Sequence, residues 1–244
     1  MTALLIASRN RHKVLEIAAI LGPAFRCRSL ADFPSAPELR EDAPTFEGNA
    51  EAKVRQLADW LAGAGASAAG RPEPIDFLVA DDSGLEVDAL KGAPGILSAR
   101  FAADERGGSP DPQDRLNNAK LLRLLEGLPA ERRTARFRCV LALLPSRGLR
   151  SPQPAPAEVE FFRGVCEGNI TLAPRGPGGF GYDPLFVPVG ETRTFAELGE
   201  EMKNRISHRS RALAALAARL QTEATGSWGP PRQSGNVSEP PRTP

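Results

Sequence analysis

The sequence predicts an α/β fold, and three patterns carry the prediction. Short uninterrupted apolar runs, Ala3-Leu4-Leu5-Ile6-Ala7 and Phe77-Leu78-Val79-Ala80, read as buried strands. Apolar stripes at helical spacing lie between and after them: Val14, Ile17, Ala18 and Leu21; Ala50, Val54, Leu57, Ala58 and Leu61; Leu121, Leu124, Leu125 and Leu128; Leu213, Leu216, Ala217 and Leu220. A long run from Thr134 to Leu144 alternates Ala135, Phe137, Cys139, Leu141 and Leu143 with Arg136 and Arg138, and Glu158 to Val165 reads as its antiparallel partner.

The first strand passes into its helix through Ser8-Arg9-Asn10-Arg11-His12-Lys13, with Ser8 or Asn10 as cap, and the helix stops near Gly22-Pro23. Residues 23–44 are rich in proline and acids and read as a connection that contains Glu38, Glu41 and Asp42. Thr45 caps the second helix; Glu47 falls in its first turn, where the macrodipole alone would explain an acid. Residues 62–74 read as a low-complexity loop. The strand at Phe77–Ala80 is expected to end at Asp81-Asp82-Ser83-Gly84. Leu85 to Leu90 then forms a second, short, half-exposed strand before the Gly92-Ala93-Pro94-Gly95 turn. A polar loop over 102–113 leads to the third helix near Pro112, and residues 145–157 read as the hairpin connection. Ile170-Thr171-Leu172 and Leu185-Phe186-Val187 are short strand candidates, and Ser207 is a natural cap for the last helix. One domain over residues 1–224 and a disordered Pro/Ser/Gly-rich tail over 225–244 complete the layout.

With 244 residues the chain is long enough for a sizeable core. Its 41% hydrophobic and 25% charged residues are ordinary for a soluble globular protein. A net charge of +1 supplies no field favouring nucleic acid or a membrane surface. No apolar stretch approaches the ~20 residues of a membrane span. The cysteines, Cys27, Cys139 and Cys166, are scattered and lack CxxC spacing. That argues against a disulfide framework or a zinc site and fits a reducing cytoplasm.

Four loops carry the chemistry. The adjacent carboxylates Asp81 and Asp82 end a buried run, where they form either a solvated turn or an oxygen site for a divalent cation such as Mg²⁺. Ser8–Lys13 places basic side chains beside the amides of a helix start, which suits a phosphate; without glycines it is no Walker A loop. Lys203, Arg205, His208, Arg209 and Arg211 form a second basic cluster at a helix start. Pro174 to Pro184 is glycine-rich and carries Phe180 and Tyr182, whose faces suit base stacking. Cations for phosphates, aromatics for a base and acids for a metal together describe a nucleoside triphosphate site. A carboxylate there could act as general base toward a water attacking the α-phosphorus.

Six motifs in order resemble the signature set of the inosine triphosphate pyrophosphatase family, whose bacterial members are the dITP/XTP pyrophosphatases. They are Ser8–Lys13, Thr45–Ala50, Ala80–Leu85, Gly92–Ile96 with Ser98–Phe101, Gly179–Pro184 and Ile206–Arg209. The resemblance spans about residues 3–220. It implies an elongated mixed sheet forming two lobes with helices on its faces, an active-site cleft between the lobes, and a homodimer. It implies Mg²⁺-dependent hydrolysis of ITP, dITP and XTP to monophosphate and pyrophosphate, cleansing the nucleotide pool. Carried over residue by residue, Asp82 matches the general base and a metal ligand. Glu41 best matches the other metal-binding acid, ahead of Glu38 and Glu47. Ser8, Arg9, Asn10, Arg11, His12 and Lys13 match the triphosphate-binding turn. Ser83, Phe180, Gly181, Tyr182, Asp183, Lys203, His208 and Arg209 match substrate contacts. The first motif departs from the pattern, with Ser-Arg-Asn where the family usually has Thr-Gly-Asn.

On this reading, His208 and Arg209 donate to O6 of a 6-oxo purine, whereas adenine would leave a donor unpaired. Guanine also carries O6, so its rejection must arise around the 2-amino group. A pyrophosphatase of modified pyrimidine nucleotides and a nucleotide-binding module without turnover are the competing readings. A nucleic-acid-binding reading rests only on the 203–211 cluster and sits poorly with the net charge.

Overall fold

The computed structural model describes residues 1–63, 74–105, 107, 111–147, 149 and 158–224. In chain order they form β1 (Thr2–Ile6), α1 (Arg11–Leu21), β2 (Phe25–Ser29), α2 (Phe46–Ala62), β3 (Phe77–Val87), α3 (Gln113–Leu124), β4 (Thr134–Pro145), β5 (Glu160–Ile170), β6 (Phe186–Pro188), α4 (Phe195–Ile206) and α5 (His208–Ala224). The strands make one sheet in the order β2-β1-β3-β4-β5-β6. β2 and β3 run parallel to β1, and the β3–β4, β4–β5 and β5–β6 pairs are antiparallel. The sheet is therefore mixed, and the α/β class predicted above holds.

Period-two alternation assigns the two faces. Leu78, Ala80, Val140 and Ala142 point to α2, where they meet Ala50, Val54 and Leu57. Val79, Leu141 and Leu143 point the other way, to Ile17 of α1 and to Leu213 and Leu216 of α5. A third apolar cluster lies at the far end of β3–β5. There Leu85, Phe137 and Ile170 pack with Leu121 of α3, Phe186 of β6 and Phe195 of α4.

Three elements differ from expectation. Phe25-Arg26-Cys27-Arg28-Ser29 is a parallel edge strand, not part of an irregular connection; its arginines hid its apolar alternation. Asp81 and Asp82 do not end a strand. β3 runs unbroken through them to Val87, pairing Asp81 with Leu141 and Asp82 with Val140. The strand survives two acids because buried cations meet them. β5 likewise runs on to Ile170, absorbing part of the expected third short strand. Residues 64–73 of the expected 62–74 loop, 106 and 108–110 of the 102–113 loop, 148 and 150–157 of the 145–157 connection, and the 225–244 tail lie outside the described residues. Among the described residues no helix is long and apolar enough to cross a membrane.

α5 lies directly on β5 because Gly164 has no side chain. A Cβ there would fall on the His208 carbonyl oxygen and 2.7 Å from the Ala212 amide nitrogen. Gly164→Ala is therefore expected to push the start of α5 off the sheet and cost about 1–3 kcal/mol, as overpacking does. Urea denaturation would read this as a lower midpoint; an unchanged midpoint would show that α5 has slack.

Candidate active site

β1 pairs with β3 only through Phe77, Leu78 and Val79. The Ala7 amide then donates to the Val79 carbonyl at 2.7 Å, and the chain turns away into α1. Beyond that point β3 has an open edge, and Asp81, Asp82 and Ser83 lie along it. This is the carboxyl end of the parallel strands, where α/β sheets hold ligands.

Asp81 is buried and ringed by donors. Lys13 Nζ is 2.5 Å from Oδ1, and Ser83 Oγ donates to the same oxygen at 3.0 Å. Arg209 Nε donates to Oδ2 at 2.9 Å and Cys139 Sγ at 3.3 Å. Burial alone would raise its pKa, but Arg209 and Lys13 pull it well below the ordinary value. Arg209 is itself buried and donates in three directions: to Asp81, through Nη1 to Glu16 Oε2 at 2.5 Å, and through Nη2 to Ser83 Oγ at 2.8 Å.

Asp82 is poised differently. Burial raises its pKa, and Lys53, Lys13 and Asn49 only partly offset the rise. Asn49 Nδ2 donates to Oδ2 at 3.1 Å, and Lys53 Nζ reaches Oδ1 at 3.3 Å. Lys53 also donates to Glu41 Oε1 at 2.9 Å and to the Asp81 carbonyl at 2.6 Å. Glu41 and Asp82 thus converge on one ammonium. Among the described residues no group of three or more His, Cys, Asp or Glu side chains could cage a metal. Two convergent carboxylates beside an open cavity instead fit a hard divalent cation that completes its shell with water and substrate oxygens.

Two compartments flank the acids. One, of about 360 Å³, holds Ser8, Asn10, Lys13, Glu41, Lys53 and Asp82 among its walls, with Arg9 and Glu38 at its side. Asn10 caps α1 by accepting the Lys13 amide at 3.2 Å. Arg9 does not reach inward; its guanidinium donates to the Leu30 and Ala36 carbonyls at 3.2 and 2.5 Å and ties the turn to the following connection. The second compartment, of about 190 Å³, is walled by Phe180, Tyr182, Asp183, Lys203, His208 and Arg209. Asn10, Lys13, Ser83 and Ala99 line both, so the compartments are contiguous.

The second compartment departs from expectation in its aromatics. Tyr182 lines it, but the ring belongs to the far-end core and the hydroxyl donates to the Ser98 carbonyl at 3.0 Å. Phe180 is the ring on the loop that is free to stack. It sits under Lys203 Nζ, 4.1 Å from the ring centroid, and 6.1 Å from the His12 ring. Asp183 Oδ2 fixes the loop by accepting the Phe180 amide at 2.9 Å and Lys203 Nζ at 2.6 Å. Gly179 and Gly181 turn it at φ +76° and +60°. Asp114 and Asn118 of α3 pin it by bonding the amide and carbonyl of Gly181 at 2.7 and 3.0 Å. His208 stacks on Phe137 at 4.8 Å. Burial, then Arg209 and Lys203, hold its pKa well below the ordinary value, so the ring is neutral at neutral pH. Its Nδ1 is buried without a hydrogen-bond partner.

Arg11 is the predicted site residue that lies apart: it lines a separate hollow with Cys27 and Asp32. Glu47 also lies apart, with Arg163 Nε donating to it at 2.8 Å. Lys53, Asn49 and Glu16 were not singled out from sequence. Lys53 and Asn49 lie on the buried stripe of α2 with Ala50, Val54 and Leu57. A polar residue recurring at helical spacing inside an apolar stripe was the available signal.

Fold and site together define a mixed-sheet α/β protein with a compartment walled by both cations and carboxylates, joined through Asn10, Lys13, Ser83 and Ala99 to a compartment with an aromatic wall. The Ham1 family model matches residues 4–219. A dITP/XTP pyrophosphatase of Geobacter sulfurreducens is 47% identical over 221 residues, covering 90% of this chain and 97% of the relative. One of Desulforamulus reducens is 44% identical, covering 86% and 91%. Among solved structures, a HAM1 protein from Coxiella burnetii aligns with TM-score 0.68 at 35% identity, covering 91% of this chain and 99% of that one. A nucleoside-triphosphatase / dITP/XTP pyrophosphatase from Mycobacterium abscessus aligns with TM-score 0.62 at 40% identity, covering 88% and 98%. The chain belongs to the Ham1 family.

Removing the Arg209 fork would leave buried Glu16 without its 2.5 Å partner and buried Asp81 with Lys13 as its remaining cation. Arg209→Met is expected to cost about 3–5 kcal/mol, the usual penalty for breaking a buried pair. Arg209→Lys should recover only part of this, since an ammonium lacks the planar fork. Equilibrium unfolding of both variants measures the cost, and full recovery by lysine would show that charge alone suffices.

Proposed function

We propose that this chain is a Mg²⁺-dependent nucleoside triphosphate pyrophosphohydrolase acting on ITP, dITP and XTP. The observation that carries the reading is the position of Asp82. It is a carboxylate made more basic by burial; it lines the compartment that also holds Lys13, Lys53 and Glu41, and the next residue, Ser83, lines both that compartment and the one with an aromatic wall. The names of the curated relatives point to the same substrates.

In this reading the triphosphate lies along Ser8–Lys13, with the amides at the start of α1 and the side chain of Lys13 meeting its charge, while Lys53 stays committed to Glu41, Asp82 and the Asp81 carbonyl. The base enters the second compartment against Phe180, and O6 accepts a hydrogen bond from neutral His208. Arg209 serves chiefly to hold Asp81 and Ser83 in place, since three of its donors are already committed. A Mg²⁺ bound at Glu41 and Asp82 would neutralise phosphate charge and orient the attacking water. Asp82 takes the proton as the water oxygen bonds to the α-phosphorus. The bond from that phosphorus to the bridging oxygen breaks, and pyrophosphate leaves with the electron pair. Asn49 keeps Asp82 oriented throughout. Of the three acids considered for the second metal ligand, Glu41 is favoured because it shares Lys53 with Asp82. The separate far-end core supports two lobes with the cleft between them.

Asp82→Asn is expected to keep ITP binding and lose about 10²–10⁴-fold in turnover, the usual contribution of a general base. Unchanged turnover would remove Asp82 from the role. EDTA should abolish activity and Mg²⁺ restore it. A panel of ITP, XTP, dITP, GTP, ATP and a modified pyrimidine triphosphate, scored for pyrophosphate against phosphate, tests the whole reading. Fastest turnover of the pyrimidine, or release of single phosphates, would overturn it.

A further inference from the structure

A divalent cation held by Glu41 and Asp82 needs both carboxylates at one fixed separation, yet the two acids stand on very different backbone. Asp82 sits in the middle of β3, inside a ladder of main-chain hydrogen bonds. Glu41 sits in the connection before α2. Among the described residues, the backbone of residues 37–44 makes no main-chain hydrogen bond. Side chains hold this segment instead. Gln56 of α2 accepts the Arg40 amide at 3.0 Å and donates to the Arg40 carbonyl at 3.1 Å. Asn49 accepts the Ala43 amide at 2.9 Å. Arg100 reaches Glu41 itself: Nη2 donates to its carbonyl at 3.2 Å, and Nη1 stands 3.8 Å from its Oε2.

We infer that Arg100 is a positioning residue for the metal site: it ties the Glu41 peptide to a turn anchored on β3, and so sets the gap between Glu41 and Asp82. This inference rests on the functional reading above, because it takes Glu41 as a metal ligand.

The turn that carries Arg100, Gly95–Arg100, is a firm mount. Its Ser98 Oγ donates to the Gly95 carbonyl at 2.6 Å and accepts the Leu85 amide at 2.9 Å, which locks the turn to β3 just beyond Asp82. Gly84 permits the approach; a Cβ there would fall 2.6 Å from Ser98 Oγ. Asn117, buried on α3, grips the other side by donating to the Ser98 and Ala99 carbonyls at 3.1 and 3.2 Å. Gln56 and Asn49 fasten the neighbours of Glu41 to α2 alone. Arg100 joins the peptide of one acid to the strand of the other.

The guanidinium also competes with a cation for the Glu41 carboxylate, so its removal could tighten metal binding. That competition is small, because both side chains are well exposed, at 44% and 37%, and exposed pairs are screened. Loss of the tie dominates, since partners that orient metal ligands contribute about 10–100-fold to affinity. The two effects have opposite signs, which makes them separable.

Arg100→Met and Arg100→Lys test the inference in the full chain. Mn²⁺ binding without nucleotide is read by electron paramagnetic resonance. The Mg²⁺ concentration for half-maximal ITP turnover is read separately from kcat at saturating Mg²⁺. Arg100→Met is expected to weaken both metal readouts about tenfold or more and to leave kcat at saturating Mg²⁺ little changed. Arg100→Lys keeps a donor for the Glu41 carbonyl and should recover most of the loss. The side chain is exposed, so neither variant disturbs the core. Unchanged or tighter metal binding in Arg100→Met would overturn the role, as would a lost kcat with metal affinity intact. Glu41→Gln is the control. If it binds Mn²⁺ as the parent chain does, or if the parent binds none and needs no Mg²⁺, the metal site of the functional reading fails instead.

Discussion

Two neighbouring carboxylates in the middle of a sheet strand are the constraint around which this molecule is arranged. Side chains at adjacent strand positions point to opposite faces. Asp81 and Asp82 therefore draw their hydrogen-bonded cations from different faces, although the field of Lys13 reaches both. On one face α1 and α5 bring Lys13 and Arg209 to Asp81; on the other α2 brings Lys53 and Asn49 to Asp82. The three-layer arrangement of helices about the proximal sheet is thus also an electrostatic arrangement. A buried carboxylate without such partners would take up a proton or unfold its surroundings.

The same division separates the two acids chemically. Asp81, saturated with cationic and neutral donors, stays ionised and acts as the anchor for Arg209 and Ser83. Asp82, less well compensated, is the more basic. Adjacent residues of one type acquire opposite characters because the helices on the two faces carry different donors. The pairing of acids along the sequence could not rank them; the sheet could.

Much of the fold was legible because it follows periodicity. The stripes of α1, α2 and α5 and the alternation in β4 are direct consequences of burial on one face; the expected α3 stripe is only partly realised, because the helix ends at Leu124, which is exposed, and Leu125 and Leu128 follow it. Legibility ended where charge was buried. Asp81-Asp82 reads as a strand end only if acids are assumed to face water, and β3 passes straight through them. Arg26 and Arg28 concealed β2 for the same reason. Lys53 and Glu16 were not singled out because the partners that draw them inward lie on distant segments. Arg209 and His208 belonged to a cluster that could equally have been a solvated basic face, and both are buried. The loop around Phe180 was visible from its glycines, but which of its two rings stays free depended on a hydroxyl partner at Ser98.

The Arg209–Glu16 contact joins residues 193 positions apart in the chain. Contacts this distant form late, because long loops must close before they are rewarded. During synthesis the strands and helices of the first part of the chain can assemble while Asp81 still lacks its principal counter-charge. The acidic edge is completed only when α5 emerges and docks on β5 at Gly164. A truncated chain that stops short of α5 therefore carries the acids, the phosphate turn and the aromatic loop, yet leaves Asp81 with Lys13 as its one paired cation and Glu16 without Arg209. Competence is coupled to completeness: the last helix to be made is the one that lets the oldest part of the site settle.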